Sequence, residues 1–231
     1  METILQATTR VQLDTSLAAI DTTVPLRTEG RTTQHTERYA VVRLLTVVLR
    51  GEFKYPVALV HRDRPDFLLS LGDTDIGIEH TEAVLENEAH SSALRESGFG
   101  AEVQFLSRAL PGEPKRSRKE LIEELELNKA GNGWGGDSVE REWAAAMLHA
   151  AQRKIEALNS PGFDRFEQNW LLIYDNCPLP ALHEDEAAPI LHQSFQRYSA
   201  FEQFDHIFVL SDQWLWEFSN REARVHATRV S

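Results

Sequence analysis

Cysteine is almost missing: Cys177 is the single one in 231 residues. That excludes an internal disulfide framework and fits a reducing compartment, so the cytoplasm is the expected location. Long apolar runs are missing too. A spanning helix needs about 18 or more apolar residues. The most apolar helix-like stretch, VVRLLTVVLRG in the forties, is shorter and carries Arg43 and Arg50. No membrane partner is expected. The N-terminal METILQATTRVQLDTS has no basic leader followed by an apolar block, so no secretory signal is expected. Basic charge is scarce: 24 Lys and Arg stand against 36 Asp and Glu, for a net charge of −12. Tight non-specific binding to nucleic acid runs on phosphate neutralisation and counterion release, and this balance counts against it while leaving a local basic cleft open. No GxSxG elbow is present. The nine histidines form no His-x₃-His or Cys/His array that would suggest zinc. GNGWGGDS, residues 131–138, lacks the Lys-Ser/Thr of a Walker A loop and reads better as a helix-to-helix connection, in which Trp134 could act as a lid or stack on a base.

What remains is an ordinary globular composition, 42% hydrophobic and 26% charged, on a chain long enough to bury a large core. Residues 1–35 are Thr-rich and weakly periodic and read as an arm or irregular cap with room for a short strand. A soft boundary falls near Thr36, and residues 36–231 read as one domain. A helical apolar pattern covers Glu37 to Arg50. Extended runs follow at VALVHR, FLLSLG and IGIEHTEAV, the last two joined by a Gly/Asp turn as a hairpin. LENEAHSSALRES is helix-compatible. AEVQFL, from Ala101, is a strand candidate. KRSRKELIEELELNKA is a helix, and Asp137 or Ser138 caps a long helix through Leu158. NWLLIYDN reads as a buried strand, Ala187 to Gln203 as a helix, and DHIFVLSD and WLWEF as strands. Hairpins early and strand–helix alternation late give a mixed α/β sheet flanked by helices.

The stretch PDFLLSLGDTDIGIEHTEA, from Pro65, carries the most chemistry. Side chains alternate along a strand, so Gly77, Glu79, Thr81 and Ala83 share one side and Ile76, Ile78, His80 and Glu82 the other. Glu79 is expected to emerge beside small neighbours, with room for an ion or substrate. Asp66 heads the partner strand, and strands about 4.8 Å apart bring both acids within reach of one ion. Mg²⁺ takes oxygen ligands and keeps several waters, and two carboxylates plus a carbonyl are a usual protein contribution. Such an ion polarises a phosphodiester and activates water. Acids flanking a hairpin turn on a solvated face remain the plainer reading of the spacing.

PDFLL followed after a turn by IGIEHTEA resembles the PD-(D/E)XK nuclease superfamily, whose fold is restriction-endonuclease-like. The resemblance spans roughly residues 36–215 and rests on a short motif plus the order of elements. It implies that Asp66 and Glu79 bind Mg²⁺ or Mn²⁺ and that the substrate is nucleic acid. It also implies a lysine two residues after the second acid, where this chain has Thr81. A hydroxyl cannot replace an ammonium, so Thr81 would only shape the site. Lys154 lies on the long helix inside the expected buried stripe of Trp143, Met147, Ala150, Ala151, Ile155 and Leu158. Two readings are open for it: an ammonium that snorkels to water, or one delivered to Asp66 and Glu79 in place of the motif lysine. Glu37, read as the start of a helix, is either an accessory acid that orients water or a first-turn acid favoured by the helix dipole. His80 is either a hydrogen-bonded structural residue or one that reaches substrate. The basic cluster Lys115, Arg116, Arg118 and Lys119 offers phosphate contacts, although Glu120, Glu123 and Glu124 supply nearby partners for it. The expected function is a metal-dependent nuclease, with a catalytically silent binding or assembly module as the alternative. A homodimer is compatible with either.

Overall fold

The computed structural model describes all residues except 27–28, 101–108, 128–132, 159–163, 178, 180–181, 212 and 229–231. The chain runs β1 (Glu2–Ala7), α1 (Arg10–Ala19), α2 (Thr33–Val48), β2 (Val57–His61), β3 (Phe67–Leu71), β4 (Thr74–Ala83), α3 (Glu86–Glu96), α4 (Arg118–Leu127), α5 (Ser138–Leu158), β5 (Gln168–Asp175), α6 (Glu184–Arg197), a 3₁₀ turn at Ala200–Glu202, β6 (His206–Leu210), β7 (Trp214–Phe218) and β8 (Ala223–Ala227). The eight strands form one sheet in sequence order. β1 to β4 are antiparallel neighbours, β4, β5 and β6 are parallel, and β6 to β8 are antiparallel again. The fold is mixed α/β.

Alternation along the central strands explains the layering. Ile76, Ile78, Trp170, Leu172 and Phe208 point to a face covered by α1 and α2. Leu171, Ile173, Ile207, Val209 and Trp216 point to the other, covered by α5 and α6. β5 is buried on both faces, which is why NWLLIYD reads as a continuous apolar run. α3 and α4 share a small cluster of their own around Leu94, Leu121 and Leu125.

The first residues hold more than the short strand allowed for. β1 pairs with β2 in the common sheet, and α1, capped by the Thr9 side chain on the Gln12 N–H, sinks Leu13 to full burial. α2 begins four residues before Glu37, because the Thr32 N–H donates to His35 Nδ1 (3.0 Å) and turns the chain into the helix there. Glu37 is therefore in the second turn, and the helix dipole does not account for it. The helix expected to reach Gln203 stops at Arg197. Ser199 adopts a left-handed backbone (φ 55°) before the 3₁₀ turn. β8 is exposed along most of its length and is held by its backbone ladder to β7, so it carries no hydrophobic alternation to read. The strand expected at AEVQFL lies outside the described residues. Among the described residues no helix is long and apolar enough to cross a membrane.

Candidate functional site

The turn between β3 and β4 is two residues long, with Gly72 at φ 61°, a left-handed conformation that glycine adopts without strain. This turn sets the register. Phe67 pairs with Ile78 at the far end of the ladder, which leaves Asp66 across from Glu79. Asp66 is fixed twice. Its carbonyl accepts the Arg62 N–H (2.8 Å), closing the β2–β3 connection, and its Oδ2 accepts the His80 N–H (2.7 Å). Glu79 stands mid-strand, its side chain 5% exposed.

Lys154 comes to this pair from α5. The helix packs on β4, and the expected stripe is buried at Trp143, Met147, Ala150, Ala151 and Ile155. The ammonium turns inward: Nζ lies 2.9 Å from Asp66 Oδ2 and 2.6 Å from Glu79 Oε2. Burial disfavours its charge, but Asp66 and Glu79 together outweigh that and hold its pKa above the ordinary lysine value. Glu79 is pushed up to about 7, first by burial and then by Asp66, against the pull of Lys154. Its second oxygen, Oε1, is buried without a hydrogen-bond partner. A carboxyl with a raised pKa beside a second carboxylate and an ammonium is the pattern of an acid–base or cation-binding site.

The room expected beside Glu79 is taken on the Gly77 side. A side chain at Gly77 would meet Phe166 Cδ2 at 2.8 Å and Pro65 Cγ at 3.2 Å, so Phe166, just before β5, and Pro65 fill that space. Phe166 and Asp164 are held there by the Arg62 guanidinium, which lies over the Phe166 ring and bonds Asp164. Thr81 follows on the Glu79 face and is buried. His80 belongs to the site through its backbone N–H. Its ring is buried on the opposite face, its Nε2 has no partner, and burial pushes its pKa down to about 4.

The basic cluster lies elsewhere. Arg116 bonds Glu113 and Glu124, Lys119 pairs with Glu123 one helical turn on, and Arg118 sits over the Phe99 ring. Lys115 is exposed just before α4. The Trp134 indole N–H donates to Glu142 (3.0 Å), an anchored position.

On the α2 face of the sheet, beside the β2–β3 turn that carries Asp66, two further ionisable residues form a pair. Glu37 Oε2 lies 3.1 Å from His61 Nε2. The Glu37 pKa is raised, first by burial and then by Asp66, with His61 and Lys154 pulling it down. His61 was not singled out from the sequence. The available signal was its place at the end of VALVH, where the alternation of Val57 and Leu59 calls for an apolar side chain. Among the described residues no group of three or more His, Cys, Asp or Glu side chains forms a ready metal-ligand set.

Compared with protein-family models, curated proteins and solved structures, the chain gives no significant match.

Proposed function

We propose that the chain is a divalent-metal-dependent phosphodiesterase of the PD-(D/E)XK type, with a restriction-endonuclease-like fold, acting on nucleic acid. The observation that carries this reading is the convergence of Lys154 on Asp66 and Glu79 across 88 and 75 residues of sequence. The ammonium missing at Thr81 is supplied from another element to the same two acids. The donor set fits a hard cation: two facing carboxylates, one with a buried oxygen that has no partner. Asp66 and Glu79 would hold Mg²⁺ or Mn²⁺, which when bound polarises a phosphoryl oxygen. Lys154 would meet the charge that develops on the phosphoryl group, an ammonium aimed where negative charge grows. Thr81 lines the strand beside them.

Of the arginines around the site, Arg31 and Arg62 are paired with Glu82 and Asp164, and the exposed Arg64 and Arg153 favour a polyanionic substrate despite the net charge of −12. Arg31 and Arg153 reach Glu82, three residues beyond Glu79. Arg62 and the exposed Arg64 flank the turn that carries Asp66. Phosphate contacts of this kind position a nucleic acid without reading its sequence.

A second reading, a silent member of the same fold serving as a binding module, is favoured by one feature: the ion pairs close the site on itself. Incubation of the purified protein with single- and double-stranded DNA and RNA in Mg²⁺ or Mn²⁺, beside Glu79→Ala and Lys154→Met, separates the two. Cleavage lost in both variants is expected. No cleavage with any metal and substrate, or equal cleavage by Glu79→Ala, overturns the nuclease reading.

A further inference from the structure

The apolar stripe of α2 runs through Ala40, Val41, Leu44 and Leu45, all buried. Continued one turn toward the N-terminus at helical spacing, the stripe reaches Glu37. A carboxylate holds a place where an aliphatic side chain would pack, with its side chain only 13% exposed and its charge opposed by burial. Such a position costs stability unless the carboxylate is hydrogen-bonded. The donor in reach is His61, the last residue of β2, with Nε2 3.1 Å from Glu37 Oε2.

The location of this pair is informative. His61 is opposite Phe67 in the β2–β3 ladder, and their rings lie 5.2 Å apart. Phe67 follows Asp66 in the chain, and the Arg62–Asp66 hydrogen bond closes the turn between the two strands. Four ionisable groups from four elements therefore flank the turn before β3: Glu37 from α2 and His61 from β2 on one face of the sheet, Lys154 from α5 on the other, and Asp66 at the head of β3 in contact with Lys154. Asp66 and Lys154 both act electrostatically on Glu37. A pair that only filled space in the core would be cheaper as two aliphatic residues.

We infer that His61 is a positioning residue of the Asp66–Glu79–Lys154 site and acts through Glu37. Its Nε2–H holds the Glu37 carboxylate on the side of Asp66, where the carboxylate orients solvent at the site. The inference rests on the proposed metal-dependent activity and extends it to a residue outside the motif. Groups that orient the contacts of a metal site commonly change affinity 10- to 100-fold when removed.

The test is Mn²⁺ binding by calorimetry, which needs no substrate. The proteins compared are the unaltered chain, Glu79→Ala, His61→Ala, His61→Gln, Glu37→Gln and Glu37→Gln/His61→Ala, each checked for folding by its thermal melt. Expected is a loss of about tenfold in His61→Ala. His61→Gln, whose amide N–H reaches the position of Nε2, should recover most of it. His61→Ala should cost nothing further in the Glu37→Gln background. Binding that depends on Glu79 but is untouched by His61→Ala overturns this inference alone. An equal loss in both backgrounds, or no recovery in His61→Gln, also overturns it. Absence of Mn²⁺ binding by the unaltered chain overturns the inference together with the metal reading beneath it.

Discussion

Glu79→Gln should stabilise the protein, and by more at pH 8 than at pH 5. In the folded chain the Glu79 pKa stands at about 7 against an ordinary 4.5, because burial and the facing Asp66 outweigh Lys154. Between those values the folded state keeps a proton that the unfolded chain has released. Stability therefore falls as pH rises through the window. The gap corresponds to roughly 3 kcal/mol. With the side chain 5% exposed, water screens little of it. Glutamine has nearly the same shape, offers an oxygen to the Lys154 ammonium and does not titrate, so the variant lacks this decline. Urea denaturation of both proteins at pH 5, 6.5 and 8 gives the difference directly. It should be small at pH 5 and reach about 3 kcal/mol by pH 8, roughly 6–12 °C in Tm for a chain of this size. A difference that is flat across the window, or that shrinks as pH rises, refutes the assignment of Glu79 as a buried acid strained by its neighbours. The same substitution should abolish the proposed activity, so stability and function oppose each other at this position.

Two further predictions test packing, one beside the site and one in the core. Gly77→Ala places a methyl 2.8 Å from Phe166 and 3.2 Å from Pro65; overpacking of this kind costs about 1–3 kcal/mol, visible as a lowered Tm, and an unchanged melt would show that Phe166 is not packed on β4. Leu13→Ala empties a fully buried position on α1 and should cost about 2–5 kcal/mol; a loss under about 0.5 kcal/mol, the range of ordinary surface substitutions, would show that α1 is not part of the core.

Some of this was legible residue by residue. The hairpin could be read from FLLSLGDTDIGI because a Gly/Asp turn between two alternating runs leaves few registers. With the register fixed, Asp66 and Glu79 had to stand opposite one another. The stripe on α5 was equally plain, since 21 residues of 3.6-residue periodicity average out local exceptions. That regularity is what made Lys154 conspicuous, a charge in an apolar stripe. β1 and α1 were weak in the sequence because their few buried positions, Leu5, Ala7 and Leu13, are spread among exposed polar residues. β8 had no pattern because its stabilisation is backbone pairing.

What the sequence determined by itself was therefore local. Alternation put Glu79 and Thr81 on one face and His80 on the other, and periodicity put Lys154 on the inner side of its helix. Only the tertiary structure decided where that inner side leads. An ammonium in a buried stripe can turn to water or to an acid, and the choice depends on which strand lies beneath the helix. The same holds for His61 and Glu37, each an exception to its own element's pattern, which become one pair when α2 packs on the face of the sheet that β2 shares. It holds as well for the space beside Gly77, which Phe166 fills from about 90 residues away. Local pattern fixes the direction a side chain takes from its own backbone, and long-range packing supplies the group it meets.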